Sequence, residues 1–356
     1  MHTEYLKITG DPAADEEVIR RAAEVIKSGG LCAIPTETVY GLAGSAYLPG
    51  SAEKIYAAKG RPADNPLIVH IAKPADAENA AYPNRLYERL AERFMPGPLT
   101  VILKKKDVIP SAVTAGLDSV ALRCPSNPVA HRLIEVSGHP IAAPSANRSG
   151  SPSPTAAEHV LADLDGQIDM IIDGGPCDIG LESTVIRLDG EDACTVLRPG
   201  AVTPQMLAEV CREVTISPAV VEPSLADGIA PESPGMKYRH YAPKAEVVLI
   251  DAGREAFLKY VRENAAGKYG VMIPNEDAVY VSGGTLLLTG SAGDVKEASR
   301  RLFSLLRRAD EAGLEKVYTR LPEPEGESLA LYNRIIRAAG CRILKLGAAG
   351  RTKTEF

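Results

Sequence analysis

Four stretches of this sequence set basic, hydroxyl and amide side chains beside small residues, a combination suited to handling anions. The first is Pro35-Thr36-Glu37-Thr38-Val39-Tyr40-Gly41-Leu42-Ala43. It leaves an apolar run over residues 31–35 that reads as a buried strand, so its hydroxyls would stand at a strand's carboxyl end, where open α/β sheets bind ligands. A turn in which Thr36 and Thr38 bond their own backbone fits the same residues. The second, Lys59-Gly60-Arg61-Pro62-Ala63-Asp64-Asn65-Pro66-Leu67, sets two cations beside a flexible glycine. Lysine as a point charge and arginine as a fork could clamp a polyphosphate, although two loop cations also suit a solvated surface. The P-loop order G-x-x-x-x-G-K-[ST] is absent. The third, Ala142-Ala143-Pro144-Ser145-Ala146-Asn147-Arg148-Ser149-Gly150-Ser151-Pro152-Ser153-Pro154-Thr155, leads into a helix, whose free first amides favour phosphate. Its alternative is a capped proline-serine turn. The fourth joins Asp173-Gly174-Gly175-Pro176, Leu181-Glu182-Ser183-Thr184-Val185 and Leu197-Arg198-Pro199-Gly200. Its double glycine allows close backbone approach, its Ser-Thr pair offers hydroxyls to a small polar substrate, and Arg198 could meet a phosphate.

No Ser-His-Asp or Cys-His arrangement is legible among the six dispersed histidines. His70 differs in sitting inside an apolar run, where a lone histidine is more often structural than catalytic. No carboxylate pair has the spacing of a metal box. The six cysteines are scattered without a C-x-x-C pair, which argues against a zinc ribbon and gives no disulfide framework.

Bringing these stretches together requires alternating strands and helices. Val18, Ile19, Ala22, Val25 and Ile26 share one face of a helix over residues 15–28, with Gly29 as its stop. Strands are expected at 31–35, 67–71, 99–103, 120–123, 141–143, 168–173, 184–188 and 195–197. Helices are expected at 52–58 (capped by Ser51), 85–94, 128–136, 156–164 and 204–211. Such alternation indicates an α/β layer architecture. Pro218, Pro223, Pro231, Pro234 and Pro243 then read as an extended linker. A second α/β pattern follows, with strands at 247–250, 270–273 and 285–288 and helices at 254–263, 295–312 and 328–339. It lacks G-x-G-x-x-G after its first strand, so dinucleotide binding is not supported. The expected domains are 1–211, a linker or lid over 212–245, and 246–356.

Charged residues at 24% and hydrophobic residues at 45% exclude whole-chain disorder. A net charge of −6 argues against holding nucleic acid by bulk charge alone. No apolar run approaches the roughly 18 residues of a membrane span, and the amino terminus is not basic-then-apolar. A cytoplasmic protein without membrane partners is therefore expected.

In combination and in order, PTETVYGLAG, KGRPADNPL, APSANRSGSPSPT, DGG-x-C with ESTV, and RPG resemble the YrdC-type domain. The segment Ser233-Pro234-Gly235-Met236-Lys237-Tyr238-Arg239-His240-Tyr241-Ala242-Pro243 resembles the linker of its longer members, the threonylcarbamoyl-AMP synthases with a Rossmann-like carboxyl-terminal domain. Past residue 246 the resemblance is carried by Leu329-Ala330-Leu331-Tyr332-Asn333-Arg334. The resemblance implies a twisted, open, mixed sheet with helices, followed by the smaller Rossmann-like α/β domain. It implies a nucleotidyltransferase that makes threonylcarbamoyl-AMP and pyrophosphate from L-threonine, bicarbonate or CO2, and ATP, with Mg2+ carried mainly on ATP. The product would pass to a downstream threonylcarbamoyl transferase for t6A modification of ANN-decoding tRNAs, so that tRNA is only an indirect partner.

The same resemblance assigns residues. Lys59, Arg61, Ser145 and Asn147 are the family's K-x-R and S-x-N signatures and the expected catalytic set. L-threonine would be held by Thr38, His70, Arg123, the backbone of Ala143, and Ser183. ATP would be held by Arg61, Asn65, Ser119, Ser145, Ser153, Arg198 and Tyr241. Residues 233–243 would close as a lid over a mixed anhydride that hydrolyses readily. Two other readings compete: an RNA-binding module associated with translation, disfavoured by the absence of basic-aromatic interleaving, and carbamoyl transfer to another acceptor, whose known carriers add acylphosphatase and zinc-finger segments not found here.

Overall fold

A computed structural model describes residues 2–222 and 241–346, and the backbone of 352–355. Of the expected lid, residues 233–240 lie outside the described residues. The first sheet has eleven strands: β1 (Glu4–Lys7), β2 (Cys32–Ile34), β3 (Gly41–Ser45), β4 (Ile68–His70), β5 (Leu99–Lys104), β6 (Ser119–Arg123), β7 (Ile141–Ala142), β8 (Met170–Asp173), β9 (Thr184–Leu188), β10 (Ala193–Arg198) and β11 (Glu213–Ile216). Their spatial order is β1-β8-β2-β3-β7-β4-β6-β5-β9-β10-β11. Pairing is mixed: β4 runs parallel to β6, and β5 parallel to β9, while β5–β6 and β9–β10 are antiparallel. The second sheet comprises β12 (Glu246–Asp251), β13 (Tyr269–Ile273), β14 (Thr285–Leu288), β15 (Lys316–Arg320), β16 (Ile343–Leu346) and β17 (Thr352–Glu355). Its order is β14-β13-β15-β12-β16-β17, parallel throughout except for the β16–β17 pair. A large mixed sheet and a smaller, mainly parallel one are the architecture the motifs implied.

Local chemistry accounts for the helices that frame the sheets. Pro12–Lys27 starts on Asp11, whose carboxylate accepts from the amides of Ala13 and Ala14, and buries Ile19, Ala22, Ala23 and Ile26. Ser51 is the first residue of helix Ser51–Lys59 and not its cap; Gly50 precedes it at φ 83° and makes no side-chain cap. The helix expected at 204–211 ends at Leu207. β3 is not among the expected strands; Gly-Leu-Ala-Gly-Ser has no β-branched residue, and pairing with β2 and β7 makes it a strand. Residues 213–221, expected in the linker, form β11 and helix Pro218–Val221 beside β10. Pro218 does not break structure there: it occupies the first helical turn, where its missing N–H is harmless.

The domains meet through one mixed interface. Val39 and Leu181 of the first domain share a buried cluster with Tyr241, Leu302, Phe303, Leu306 and Ile335, each such side chain contributing about 1.5–3 kcal/mol on burial. Arg307 reaches across to Asp163 at 2.7 Å and to the carbonyl of Pro152. The hydroxyls of Thr155 and Ser304 lie 2.8 Å apart. No helix among the described residues is long and apolar enough to cross a membrane.

Candidate active site

A narrow cleft opens on the face of the first sheet that carries Ile68, His70 and Arg123. Strand alternation puts Ile68 and His70 of β4 on one face, and β6 sets Arg123 opposite His70 in register. The loops after β2 and β7 bring Thr38 and Ala143–Ser145, the residue before β9 is Ser183, and the end of β10 brings Arg198.

One end of the cleft is built around buried, incompletely partnered polar groups. Glu37 and Arg123 are ion-paired at 2.7 Å, with side chains 6% and 5% exposed. Arg123 Nε and Nη2 and His70 Nδ1 are nevertheless buried without a hydrogen-bond partner among the described residues. Native proteins leave few such groups, so a cluster facing a cleft calls for a ligand. Burial, reinforced by Arg123, pushes the His70 imidazole down to about 3, so it is neutral at physiological pH. Burial opposes the ionisation of Glu37, but the Arg123 guanidinium outweighs it and holds the carboxyl below its ordinary value. Thr36 fixes the neighbouring loop: its hydroxyl donates to Val39 O at 2.6 Å, accepts from the amides of Thr38 and Val39, and lies 2.9 Å from Thr38 Oγ1. Both readings of this stretch therefore hold together, because the turn staples itself and still lines the cleft.

The other end is a set of cations and hydroxyls. Arg198 donates from Nε to Ser183 O and from Nη2 to Ser183 Oγ, both at 3.0 Å, while Ser183 Oγ also meets Thr100 Oγ1 at 2.8 Å. Burial brings Arg198 down to about 10, which leaves it charged at pH 7. Ser145 donates to Asn147 Oδ1 at 2.6 Å, and Asn147 Nδ2 donates to Arg148 O and Ser151 O. Arg61 and Tyr241 complete the walls with Glu182.

Of the expected residues, Thr38, Arg61, His70, Arg123, Ala143, Ser145, Asn147, Ser183, Arg198 and Tyr241 line this one cleft. Four do not. Lys59 was expected as a surface cation facing phosphate; it is buried at the end of its helix, and its ammonium donates to the carbonyls of Ser145 and Asn147. Burial, with Arg61 adding to it, pushes that ammonium well below its ordinary value. Lys59 thus anchors the loop that bears Ser145. Asn65 is buried beneath Arg61, which donates to its carbonyl at 3.0 Å. Ser153 is buried and donates to Glu182 Oε1. Ser119 begins β6 outside the lining, on the same sheet face as Arg123. Sequence reading passed over Glu37 and Glu182 as members of the site; the signal was their place inside the two motifs, Thr-Glu-Thr and Glu-Ser-Thr.

A buried arginine and imidazole with unmet hydrogen-bonding groups, joined to an arginine- and hydroxyl-rich end, define an enzyme-type cleft suited to small anions on a mixed α/β sheet. Residues 24–200 match the Sua5–YciO–YrdC family model, described as telomere recombination, and residues 202–340 match the model described as threonylcarbamoyl-AMP synthase, C-terminal domain. The chain belongs to the threonylcarbamoyl-AMP synthase family, enzymes of the transferase type, in its long two-domain form. It is 44% identical to the threonylcarbamoyl-AMP synthase of Pyrococcus abyssi, over 93% of this chain and 97% of that one. With that of Bacillus subtilis it shares 40% identity, over 96% and 98% of the two chains. The crystal structure of P. abyssi Sua5 complexed with L-threonine superposes with a TM-score of 0.86 at 41% identity, over 97% of this chain and 99% of that one. E. coli YciO matches 56% of this chain and 96% of its own, with a TM-score of 0.51 at 26% identity.

Proposed function

We propose that this cleft joins L-threonine, a bicarbonate-derived carbon and ATP into threonylcarbamoyl-AMP, releasing pyrophosphate. The observation that carries the reading is the buried Arg123 guanidinium, paired with Glu37 through Nη2 but with Nε left without a partner, beside the neutral His70 imidazole. Arg123 takes the threonine carboxylate as a fork, and Thr38, the backbone of Ala143, and Ser183 surround the rest of the amino acid. His70, being neutral, accepts from the substrate and does not repel its amine. Groups bonded to the threonine hydroxyl also reject the amino acid that lacks it, because they would be left unpaired.

The reaction needs no nucleophilic side chain. The neutral threonine amine adds to CO2 and loses a proton, giving a carbamate. A carbamate oxygen then attacks the α-phosphorus in line, and pyrophosphate leaves with its bond electrons. Catalysis of this kind is positioning and charge stabilisation. Arg61 and Arg198 offset phosphate charge, Ser145 and Asn147 orient the phosphates, and Tyr241 faces the nucleotide. Ser119, Asn65 and Ser153 support that end from the rim and from below. Among the described residues no group of three His, Cys, Asp or Glu side chains could hold a metal, and both cleft carboxylates are engaged by arginines. Magnesium on this reading is carried by the phosphates of ATP, not by a protein cage. The unstable product serves a downstream threonylcarbamoyl transfer to tRNA, with no direct RNA contact required.

The test is incubation of the full chain with ATP, bicarbonate, magnesium and L-threonine, with mass detection of the adenylate and measurement of pyrophosphate. Adenylate is expected with threonine and much less with valine. No adenylate, or equal turnover of the two amino acids, overturns the reading.

A further inference from the structure

The Leu329–Arg334 motif of the second domain lies outside the cleft lining, yet its last residue reaches the cleft's supports. Arg334 on helix Ser328–Ala338 is fully buried. Its Nε donates to Glu182 Oε2 at 2.7 Å, Nη2 to Pro199 O at 3.0 Å and Nη1 to Asn333 Oδ1 at 2.9 Å. Its guanidinium carbon stands 5.6 Å from the centre of the Tyr241 ring, which Phe303 holds from the same domain at 5.3 Å. Asn333 in turn donates to Val220 O at 2.7 Å, locking the helix to the first domain.

These contacts fall on one half of the cleft. Glu182 receives the Ser153 hydroxyl, Pro199 follows Arg198, and Tyr241 is touched directly. Of the residues around the proposed threonine, Thr38, His70, Arg123 and Ala143 make no hydrogen bond to Arg334, and Ser183 is reached only indirectly, through the Glu182 carbonyl that accepts from Arg334 Nη2 at 3.5 Å and through Arg198. A fully buried charge pair is a poor source of stability, since apolar residues of the same volume often serve as well or better. A planar fork that fixes a carboxylate, a carbonyl and an aromatic face at once is instead a device for geometry.

We infer that Arg334 is a positioning residue for the reaction: from the second domain it sets the nucleotide half of the cleft by orienting Glu182, the Arg198–Pro199 turn and the Tyr241 ring. The inference rests on the reading of the cleft given above. It assigns the second domain a part in substrate handling without placing any of its residues on the reacting atoms.

The test uses the full chain and its Arg334→Met, Arg334→Lys, Glu182→Gln and Arg334→Met/Glu182→Gln variants, with adenylate formation followed against ATP and against threonine. Both Arg334 variants are expected to raise KM for ATP about tenfold or more while KM for threonine moves less than about threefold. In the double variant the ATP effect should not exceed that of the worse single, because the two residues act as one unit. Should Arg334→Met fail to fold, Arg334→Lys, which keeps charge and stem but not the fork, carries the measurement. A parallel rise of both KM values, multiplicative ATP effects, or a lowered melting temperature with both KM values unchanged overturns the inference. An inactive wild-type chain would instead overturn the reading of the cleft, so the two failures are distinguishable.

Discussion

Arg123 pairs with Glu37 and, on the reading proposed for the cleft, also takes the threonine carboxylate, and substitution can separate the two. Arg123→Gln removes the fork for the threonine carboxylate and leaves Glu37 buried and charged, which is expected to lower stability by about 3–5 kcal/mol. Adding Glu37→Gln should restore much of that stability without restoring threonine saturation, as thermal melts and KM for threonine would report. If the double variant recovers normal threonine KM, Arg123 does not hold the substrate. His70 carries a pH signature. Its folded value of about 3 lies below the ordinary 6.5, so the unfolded chain takes up the proton first. Its contribution is complete above pH 6.5 and is lost as pH falls toward 3. His70→Asn should therefore show a smaller drop in urea midpoint between pH 7 and about pH 4.5 than the wild type. Lys59 and Arg61 are expected to part company. Lys59→Met leaves two loop carbonyls without their donor, at about 1–3 kcal/mol each, and should lower both melting temperature and activity; Arg61→Ala should depress pyrophosphate release with a much smaller shift in melting. The residue types and their order were legible in the sequence, as ten cleft residues show. What a side chain faces was not. Lysine in a glycine-arginine loop reads as solvated, and only the return of residues 145–147 over helix Ser51–Lys59 turns it inward.

Residues 178–182 of the first domain pack closely against helix Val295–Glu311 of the second. Gly180 has φ 76°, and a Cβ there would lie 2.5 Å from the Cα and carbonyl oxygen of Arg300. Gly180→Ala must push helix Val295–Glu311 off the first domain, so a lower melting temperature and a raised KM for ATP are expected together. Gly175 is the control: its φ is 84°, but nothing stands within 4 Å of the added Cβ. Gly175→Ala should incur only the strain of a left-handed residue, about 1–2 kcal/mol, and keep activity. If both variants behave alike, close approach at Gly180 is not what holds the helix. The sequence located most strands because buried ones read as apolar runs. It missed β3, whose small residues suit the crowded cleft floor, where a Cβ at Gly41 would come within 3.3 Å of Ala143 Cβ. It also missed β15, since Lys316 and Arg320 bracket only three buried residues.

Buried bonds and apolar side chains cross the interface between the two domains. Calorimetry on the full chain is expected to give a single transition. Arg307→Met, which removes the pairing with Asp163 and the bond to Pro152 O, should split off an earlier melt of the second domain; an unchanged single transition would mean that the apolar contacts suffice. Two successive α/β patterns were legible from periodicity. How they lock was not, because Glu182 and Arg334 are 152 residues apart and each is an ordinary charge in its own segment. That separation also fixes a moment in the life of the chain. At about 5–20 residues per second, a ribosome takes on the order of ten seconds to go from Gly200 to Arg334. Through that interval Glu182 and the Pro199 carbonyl exist without the guanidinium that bonds them in the finished chain. A chain ending at residue 243 is expected to need about tenfold more ATP, or more, to make adenylate than the full chain, so little of the reactive anhydride forms beside the translating ribosome before the enzyme is whole.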